Sequence, residues 1–301
     1  MGRIAFVFSG QGDQAPGMGK DIYDISEAAR RVFAECDGIR PGTSAQCFEG
    51  TEEELRETRN TQPCMFAMEL AAAEFLREKG IVPEAAAGFS LGEVAAAAYA
   101  GVFSLQTGFR LVIRRGELMQ EAAERQETAM AAVVRLSEEK VRELCAAHKD
   151  VYPVNFNCPG QISVSGLTSS MPAFYEDVKA AGGKALPIKV RGAFHSPFMH
   201  DAAVSFAKDV QQAEIGETKI TLYSNLTALP YGDAKDLLPR QIENPVRWED
   251  LIRNMIAEGI DTFIEVGPGK KLVNMIKKID PEVRMYSVSE LDTLLSEVKD
   301  A

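Results

Sequence analysis

The sequence predicts an α/β fold in which a small α+β subdomain interrupts a larger α/β domain. Apolar runs of strand length alternate with helical periodicity along most of the 301 residues, as in a mainly parallel sheet covered by helices. The elements within residues 128–190 instead follow the order β-α-β-β-α-β, which is typical of a ferredoxin-like unit. We therefore predict a large domain formed by residues 1–127 and 192–301, with residues 128–191 inserted as the subdomain.

The chain begins with a predicted strand that runs into a glycine-rich turn. Residues 3–8 are mostly apolar, which favours a strand covered on both faces. Residues 9–14 (Ser-Gly-Gln-Gly-Asp-Gln) follow at its carboxyl end, where open α/β sheets hold their ligands. A phosphate-binding loop is the alternative, but neither Gly-Lys-Ser/Thr nor a third glycine at the dinucleotide spacing follows. A turn of backbone N–H groups beside an active site accounts better for this sequence.

The next elements lead to a strand that is joined directly to a helix. Apolar spacing and capping residues predict helices at residues 27–36 and 62–79, with a capped turn at 51–55. The apolar run at residues 82–89 predicts a buried strand, and the alanine-rich residues 91–100 predict a helix.

Gly88-Phe89-Ser90-Leu91-Gly92 places the G-x-S-x-G pattern at this junction. A Cβ at either glycine would clash with the neighbouring strand or the first helical turn, so Ser90 is expected on a sharp turn with its hydroxyl exposed. The N–H groups at the helix start would stabilise an acyl oxygen that becomes negative there. Ser90 is therefore the candidate nucleophile, and a serine that only caps the helix is the alternative.

The following helix, predicted at residues 105–124, carries Arg110, Arg114 and Arg115. Most helical arginines are solvated, and their charge alone predicts no role. Arg115 differs because the adjacent Gly116 would let a ligand or another element approach closely.

The inserted subdomain is predicted from six elements within about 60 residues. They are strands at residues 129–135, 151–157, 162–166 and 184–190 and helices at residues 137–147 and 171–181.

Among the three histidines, His195 is the candidate base. It lies on the loop that returns the chain to the large domain, just before a predicted helix. Ser196 is expected to cap that helix, with Pro197 at its first position and an end near residue 213. A histidine that only makes structural hydrogen bonds at the domain junction is the alternative.

The remainder of the chain returns to alternating strands and helices. Its predicted elements are a strand at 220–225, a helix at 248–258, a strand at 261–266, a helix at 270–279 after Gly267-Pro268-Gly269, and a last strand-helix pair ending near residue 298.

Composition excludes several classes of function. The apolar fraction of 46% and the charged fraction of 26% are ordinary for a globular enzyme. A formal net charge of -11 without a basic stripe argues against nucleic acid and against an anionic membrane surface as partners. Five scattered cysteines without a C-x-x-C pair predict buried thiols and no metal site. No signal peptide or membrane span is evident, so a cytoplasmic protein is expected.

A series of short motifs along the whole chain resembles the malonyl-CoA:acyl carrier protein transacylases of bacterial fatty acid synthesis and the related acyltransferases of polyketide synthases. The motifs are Phe8 to Gln14, Thr61-Gln62-Pro63, Gly88 to Glu93, Arg115-Gly116, Val154 to Asn157, Pro159-Gly160-Gln161, Gly192 to Ser196, Gln241, Asn244 to Trp248 and Glu265 to Lys270. Each motif is weak alone, and their common order carries the resemblance.

The resemblance implies an α/β-hydrolase-like large domain with an inserted ferredoxin-like subdomain and an active site between them. It implies a ping-pong reaction in which Ser90 takes the malonyl group from malonyl-CoA, with His195 as base, and passes it to the phosphopantetheine thiol of an acyl carrier protein. No bound cofactor or metal and a monomer are expected.

Further roles also come from the resemblance. The backbone N–H groups of Gln11 and Leu91 would form the oxyanion hole. Arg115 would bind the free carboxylate of malonyl as a bidentate pair. The backbone carbonyl of Gln241 would orient the histidine ring, and Gln241 is expected to line the pocket together with Asn155 and Asn157.

Two positions depart from the family pattern, and one bears on substrate choice. Phe89 replaces the histidine that usually precedes the serine, which removes a polar group from the malonyl pocket, and Ser9 replaces a frequent proline. Phe194, beside His195, resembles the malonyl-selecting version of the family and would fill the space that a 2-methyl group needs.

Other functions remain open from sequence. A serine esterase or thioesterase would use the same elbow but has no need of Arg115, and a non-catalytic carrier-binding protein would not need Ser90 and His195. The carrier could belong to fatty acid or polyketide synthesis. Lys184, Lys189 and Arg191 are the candidate docking cluster for an acidic carrier protein, with ordinary solvated charges as the alternative.

Overall fold

A computed structural model describes residues 2–190 and 192–299 of the chain. The strands are β1 (Arg3–Phe8), β2 (Ala85–Gly88), β3 (Thr128–Val134), β4 (Val151–Cys158), β5 (Gln161–Leu167), β6 (Lys184–Ile188), β7 (Thr221–Leu222), β8 (Ile260–Val266) and β9 (Arg284–Ser287). The helices are α1 (Lys20–Ile25), α2 (Glu27–Ile39), α3 (Thr43–Glu49), α4 (Glu52–Arg56), α5 (Thr58–Glu78), α6 (Gly92–Ala100), α7 (Leu105–Glu124), α8 (Glu138–Ala147), α9 (Met171–Ala180), α10 (His200–Gln212), α11 (Ala234–Gln241), α12 (Trp248–Ala257), α13 (Lys271–Ile279) and α14 (Leu291–Lys299).

The first sheet is parallel and has the strand order β7-β2-β1-β8-β9. Successive side chains of its central strand β1 point to opposite faces. Phe6 and Phe8 belong to the core that includes α5 and α6, whereas Ala5 and Val7 belong to the core that includes α12 and α13. Because helices cover both faces, β1 is apolar at almost every position, as the sequence predicted.

The second sheet is antiparallel and has the order β4-β5-β3-β6. This sheet has a separate hydrophobic core, in which Ala131 and Val133 of β3 are buried together with Val141 of α8 and Phe174 of α9. The element order β-α-β-β-α-β and the α/β class are thus confirmed, while the domain boundaries after residues 127 and 191 stay a prediction. The second sheet contacts the rest of the fold through β4, which packs beside α12 and α13. Asn155 of β4 also forms an isolated β-bridge with Val246.

Several predicted boundaries were wrong. β2 is shorter than residues 82–89, because Pro83 has no N–H for a ladder and the Val82 side chain is 55% exposed. The strand predicted at 220–225 forms only the two-residue β7. α5 begins at Thr58, before the predicted residue 62, and continues through Pro63 because its buried face extends in both directions. Helices α1, α3 and α11 were not predicted.

The prediction that the Ser196 side chain caps the following helix was wrong. Its hydroxyl donates to the Ala193 carbonyl at 2.5 Å, and Pro197–Met199 form a single 3-10 turn. α10 starts only at His200. The side chains of Ser104, Ser137 and Thr51 cap α7, α8 and α4, each accepting a hydrogen bond from the N–H of the third helical residue.

All five cysteines are buried and free of disulfides. In the described part of the chain, no helix combines the length and the apolar character that crossing a membrane requires.

Candidate active site

The turn between β2 and α6 forces Ser90 into a left-handed backbone conformation with φ of 56°. A Cβ on Gly88 would lie 1.9 Å from the carbonyl carbon of Gly92, and a Cβ on Gly92 would lie 2.3 Å from the carbonyl oxygen of Phe8. Both glycines are therefore required by close backbone approach. The turn lies beside the carboxyl end of β1, since Phe8 pairs with Gly88.

Two side chains hold the backbone of this turn. Asn225 Oδ1 accepts from the Ser90 N–H at 2.8 Å, and Asn225 Nδ2 donates to the Gly88 carbonyl at 2.6 Å. Gln241 Nε2 donates to the Ser90 carbonyl at 2.7 Å. The polar groups of a strained, partly buried backbone are thereby satisfied. Sequence reasoning missed Asn225. Its only sequence signal is a polar residue at the end of a short, mostly apolar run, and its burial is seen only in the structure.

His195 contacts Ser90 directly. Its Nε2 lies 2.7 Å from Ser90 Oγ, and its Nδ1 lies 2.9 Å from the carbonyl oxygen of Gln241. A carbonyl can only accept, so Nδ1 carries the proton and the Nε2 lone pair is free to accept the serine proton. Burial and the nearby charge of Arg115 lower the pKa of His195 to about 4, so the ring is neutral at pH 7. The arrangement is that of a nucleophile and its base.

Arg115 is completely buried and reaches the same serine. Its Nη2 donates to Ser90 Oγ at 3.3 Å and to Gln241 Oε1 at 2.8 Å, and its Nη1 donates to Gln62 Oε1 at 2.9 Å. Burial lowers its pKa to about 10, which still leaves the guanidinium charged at pH 7. All of its acceptors are neutral, and Nε has no partner among the described residues. An entering carboxylate would therefore find a desolvated cation.

Gly116 admits another element and not a ligand. A Cβ there would lie 3.0 Å from the Thr58 carbonyl oxygen, so α5 packs closely on α7 at this point. That contact brings Gln62 of α5 to Arg115.

A cavity of about 550 Å³ opens in front of Ser90. Of the residues predicted from sequence, its wall contains Ser90, His195, Gln11, Leu91, Asn155, Asn157 and Phe194. Gln241 was also predicted to line the pocket, and that prediction was wrong because its side chain lies behind the turn, against Arg115 and Ser90. Arg115 does not line the cavity either, whereas its hydrogen-bond partner Gln62 does. The cavity joins the ends of β1 and β2 to the face of β4.

The glycine-rich turn after β1 lies against the Ser90 turn. A Cβ on Gly10 would be 2.9 Å from the Phe89 carbonyl oxygen. Neither the Gln11 N–H nor the Leu91 N–H has an acceptor within residues 2–190 and 192–299. Two backbone donors beside the nucleophile are thus available to a substrate oxygen.

The subdomain side of the cavity presents unpaired amide oxygens. Asn155 Oδ1 and Asn157 Oδ1 are buried without a partner in the described chain, while Asn157 Nδ2 donates to Ser163 Oγ at 3.1 Å. Both oxygens can accept from a ligand. On the side of the Ser90 turn, Phe89 precedes the serine and packs edge-on against Trp248 with 5.4 Å between ring centroids, so the wall beside Ser90 is apolar.

Of the candidate docking cluster, Lys184 is exposed on β6 and Lys189 is exposed at the mouth of the cavity. Arg191 lies outside the described residues.

The sequence matches the model of the acyl transferase domain family over residues 5–291. It is 38% identical to the malonyl CoA-acyl carrier protein transacylase of Bacillus subtilis strain 168, over 98% of this chain and 96% of that protein. It is 35% identical to the protein of the same description from Synechocystis, over 98% of this chain and 99% of that one.

Solved structures are similar over the same extent. The malonyl CoA-acyl carrier protein transacylase of Clostridium perfringens superposes with a TM-score of 0.96 at 32% identity, covering 99% of this chain and 98% of that one. A malonyl-transacylase in complex with its type II polyketide acyl-carrier protein superposes with a TM-score of 0.95 at 32% identity, covering 99% and 100% of the two chains.

Proposed function

The chain belongs to the acyl transferase domain family, and from this premise we propose that it transfers a malonyl group from malonyl-CoA to the phosphopantetheine thiol of an acyl carrier protein in fatty acid synthesis. One observation carries the proposal: Ser90 Oγ lies within 2.7 Å of His195 Nε2 and within 3.3 Å of Arg115 Nη2. A nucleophile, a neutral base and a buried cation thus meet at one oxygen.

In the first half-reaction, Ser90 Oγ attacks the thioester carbonyl of malonyl-CoA while its proton passes to His195 Nε2. The carbonyl oxygen becomes negative and is held by the N–H groups of Gln11 and Leu91. When the tetrahedral intermediate collapses, the C–S bond breaks, the CoA sulfur takes the proton from His195, and the malonyl group stays as an ester on Ser90.

The second half-reaction repeats these steps with the carrier thiol. Its proton passes to the neutral His195 Nε2, its sulfur attacks the ester carbonyl, and the C–O bond breaks with return of the proton to Ser90 Oγ. Thiols are good nucleophiles and good leaving groups, so a neutral carbonyl at Gln241 suffices to orient the ring where a carboxylate would otherwise serve.

Arg115 is proposed to select a substrate that carries a carboxylate. Its Nη1 now donates to the neutral oxygen of Gln62, a residue of the cavity wall, and a malonyl carboxylate in place of that oxygen would make charge-assisted bonds in a desolvated site while Nη2 keeps its bond to Gln241. An esterase acting on uncharged acyl groups has no use for a buried cation here. Phe194, 7% exposed on the cavity wall, is proposed to occupy the space of a 2-methyl group.

The partners follow from this reaction. Malonyl-CoA is the donor and an acyl carrier protein is the acceptor. Lys184 and Lys189 are proposed to contact acidic residues of that carrier protein. Replacing both lysines by glutamate is expected to slow association with the carrier and to reduce its salt dependence, without changing loading from malonyl-CoA. A cytoplasmic monomer that needs no cofactor and contacts neither membrane nor nucleic acid remains the prediction from sequence.

The proposal is tested by intact mass spectrometry after incubation with malonyl-CoA. We expect one malonyl adduct on the native protein and on Ser104→Ala, which changes a serine that only caps a helix, and none on Ser90→Ala. A protein without an adduct would be a non-catalytic binder, and steady release of free malonate would identify a hydrolase.

Transfer to holo carrier proteins then separates the two pathways. We expect faster transfer to a fatty acid carrier than to a polyketide carrier. The opposite preference would favour the polyketide role that the similar complex represents.

A further inference from the structure

Glu93 on α6 is a completely buried carboxylate next to the proposed malonyl site. Its Oε2 accepts from Gln241 Nε2 at 2.7 Å. Its Oε1 accepts from the Tyr231 hydroxyl at 2.5 Å and from the Asn225 N–H at 3.2 Å. The side chain does not line the cavity, and the reaction as described does not use it.

The hydrogen bonds of Gln241 allow only one orientation of its amide. Both strong acceptors of Nε2, Glu93 Oε2 and the Ser90 carbonyl, can accept but not donate. The amide oxygen must therefore point the other way, where it accepts from Arg115 Nη2 at 2.8 Å. A flipped amide would place N–H groups against the guanidinium and its oxygen against Glu93, and every one of these contacts would be repulsive.

We propose that Glu93 is a positioning residue that, through the amide of Gln241, holds the Arg115 guanidinium in place for the substrate carboxylate. This inference rests on the proposed function and assigns part of its selectivity to a residue outside the cavity. It predicts that Glu93 affects acyl groups that carry a carboxylate more than those that do not.

The charges around Glu93 support this role. No carboxylate of the described residues lies within ion-pair distance of Arg115, so Glu93 balances its charge through one intervening amide. Burial raises the pKa of Glu93 to about 7, opposed by the hydrogen bonds from Tyr231, Gln241 and Asn225 and by the charge of Arg115. A protonated Glu93 could donate to Gln241 and would no longer enforce the amide orientation.

The test replaces this carboxylate by its isosteric amide. In Glu93→Gln, residue 93 is uncharged and can donate or accept, so the Gln241 amide loses its bond to a carboxylate and keeps those to the Ser90 carbonyl and Arg115. Single-turnover loading of Ser90 is measured with malonyl-CoA and with acetyl-CoA, which lacks the carboxylate. We expect malonyl loading to fall by about 10- to 100-fold, the effect of one charged hydrogen bond, and acetyl loading to change by less than about 3-fold.

Glu117→Gln on α7 is the matched control, because it removes a half-buried carboxylate outside the cavity whose ion pair in the described chain is with Arg114. It is expected to leave the ratio of malonyl to acetyl loading unchanged. An equal fall for both substrates in Glu93→Gln, or no change, would refute the positioning role.

A measurement on the native protein covers the case in which Glu93→Gln does not fold. Between pH 8.5 and 5.5 the ratio of malonyl to acetyl loading should fall several-fold as Glu93 takes up a proton, and a constant ratio would refute the inference. Native protein that malonyl-CoA fails to load at any pH would instead refute the proposed function itself.

Discussion

Replacing Arg115 by alanine tests the selectivity of the site most directly. The guanidinium is fully buried, and no carboxylate within residues 2–190 and 192–299 pairs with it, so its bonds to a malonyl carboxylate would be made without solvent screening. Each charge-assisted hydrogen bond contributes about 1.5–3 kcal/mol. Two such bonds contribute about 3–6 kcal/mol, and at 1.36 kcal/mol per tenfold this is a loss of roughly 10²- to 10⁴-fold in kcat/KM for malonyl-CoA.

The assay follows the rate of loading of Ser90 from malonyl-CoA and from acetyl-CoA. Acetyl loading should fall by less than about 10-fold in Arg115→Ala, since acetyl-CoA has no carboxylate and, among the bonds of Arg115, only the 3.3 Å contact with Ser90 Oγ is made to a reacting atom. Arg114→Ala is the matched control, because Arg114 is the adjacent residue on α7, is half-buried outside the cavity and pairs with Glu117 and Asp209. Unchanged malonyl kinetics in Arg115→Ala, or an equal loss of rate with both substrates, would refute the binding of the malonyl carboxylate by Arg115.

The remaining predictions concern the base, the turn and the pocket wall. Because burial and Arg115 lower the pKa of His195 to about 4, kcat/KM for acetyl-CoA, which does not depend on the carboxylate site, should stay constant from pH 8 to about 5 and decline only near pH 4; a decline centred near 6.5 would show an ordinary imidazole. Gly88→Ala should lower the free energy of unfolding by about 3 kcal/mol or more in urea titration, whereas Gly232→Ala, whose Cβ would meet no neighbour, should change it by less than about 1 kcal/mol. Phe194→Ala should raise the ratio of methylmalonyl to malonyl loading by about 10-fold, and an unchanged ratio would remove Phe194 as the steric determinant.

The local parts of the site could be predicted because their signals lie within a few residues. The turn at Ser90 needs glycines two positions away on each side, and it lies between a short apolar run and an alanine-rich segment that favours a helix. The helix that carries Arg115 was predicted at its observed bounds, Leu105–Glu124, because a serine cap starts it. Boundaries failed where packing overrode the pattern, as in α5, whose buried face extends it to Thr58.

Contacts between distant residues could not be derived from such patterns. His195 lies 105 positions from Ser90, and Asn225 lies 135 positions away, and neither has a local signal that names its partner. The loop position of His195 at the domain junction made it the candidate base, and the resemblance to a family supplied its pairing with Ser90 and the role of the Gln241 carbonyl. The resemblance indicated no role for Asn225 or Glu93, whose hydrogen bonds to Ser90 and Gln241 are seen only in the folded chain.

By itself, the sequence determined the α/β class, the inserted antiparallel unit, the family and the position of the proposed nucleophile. These properties depend on periodicity and on turn residues, which act over a few neighbouring positions. Only the tertiary structure decided which nitrogen of His195 carries the proton, which neutral groups surround Arg115 and how the amide of Gln241 is oriented. Each of these depends on donors and acceptors that meet in a buried site, where every polar group must find a partner.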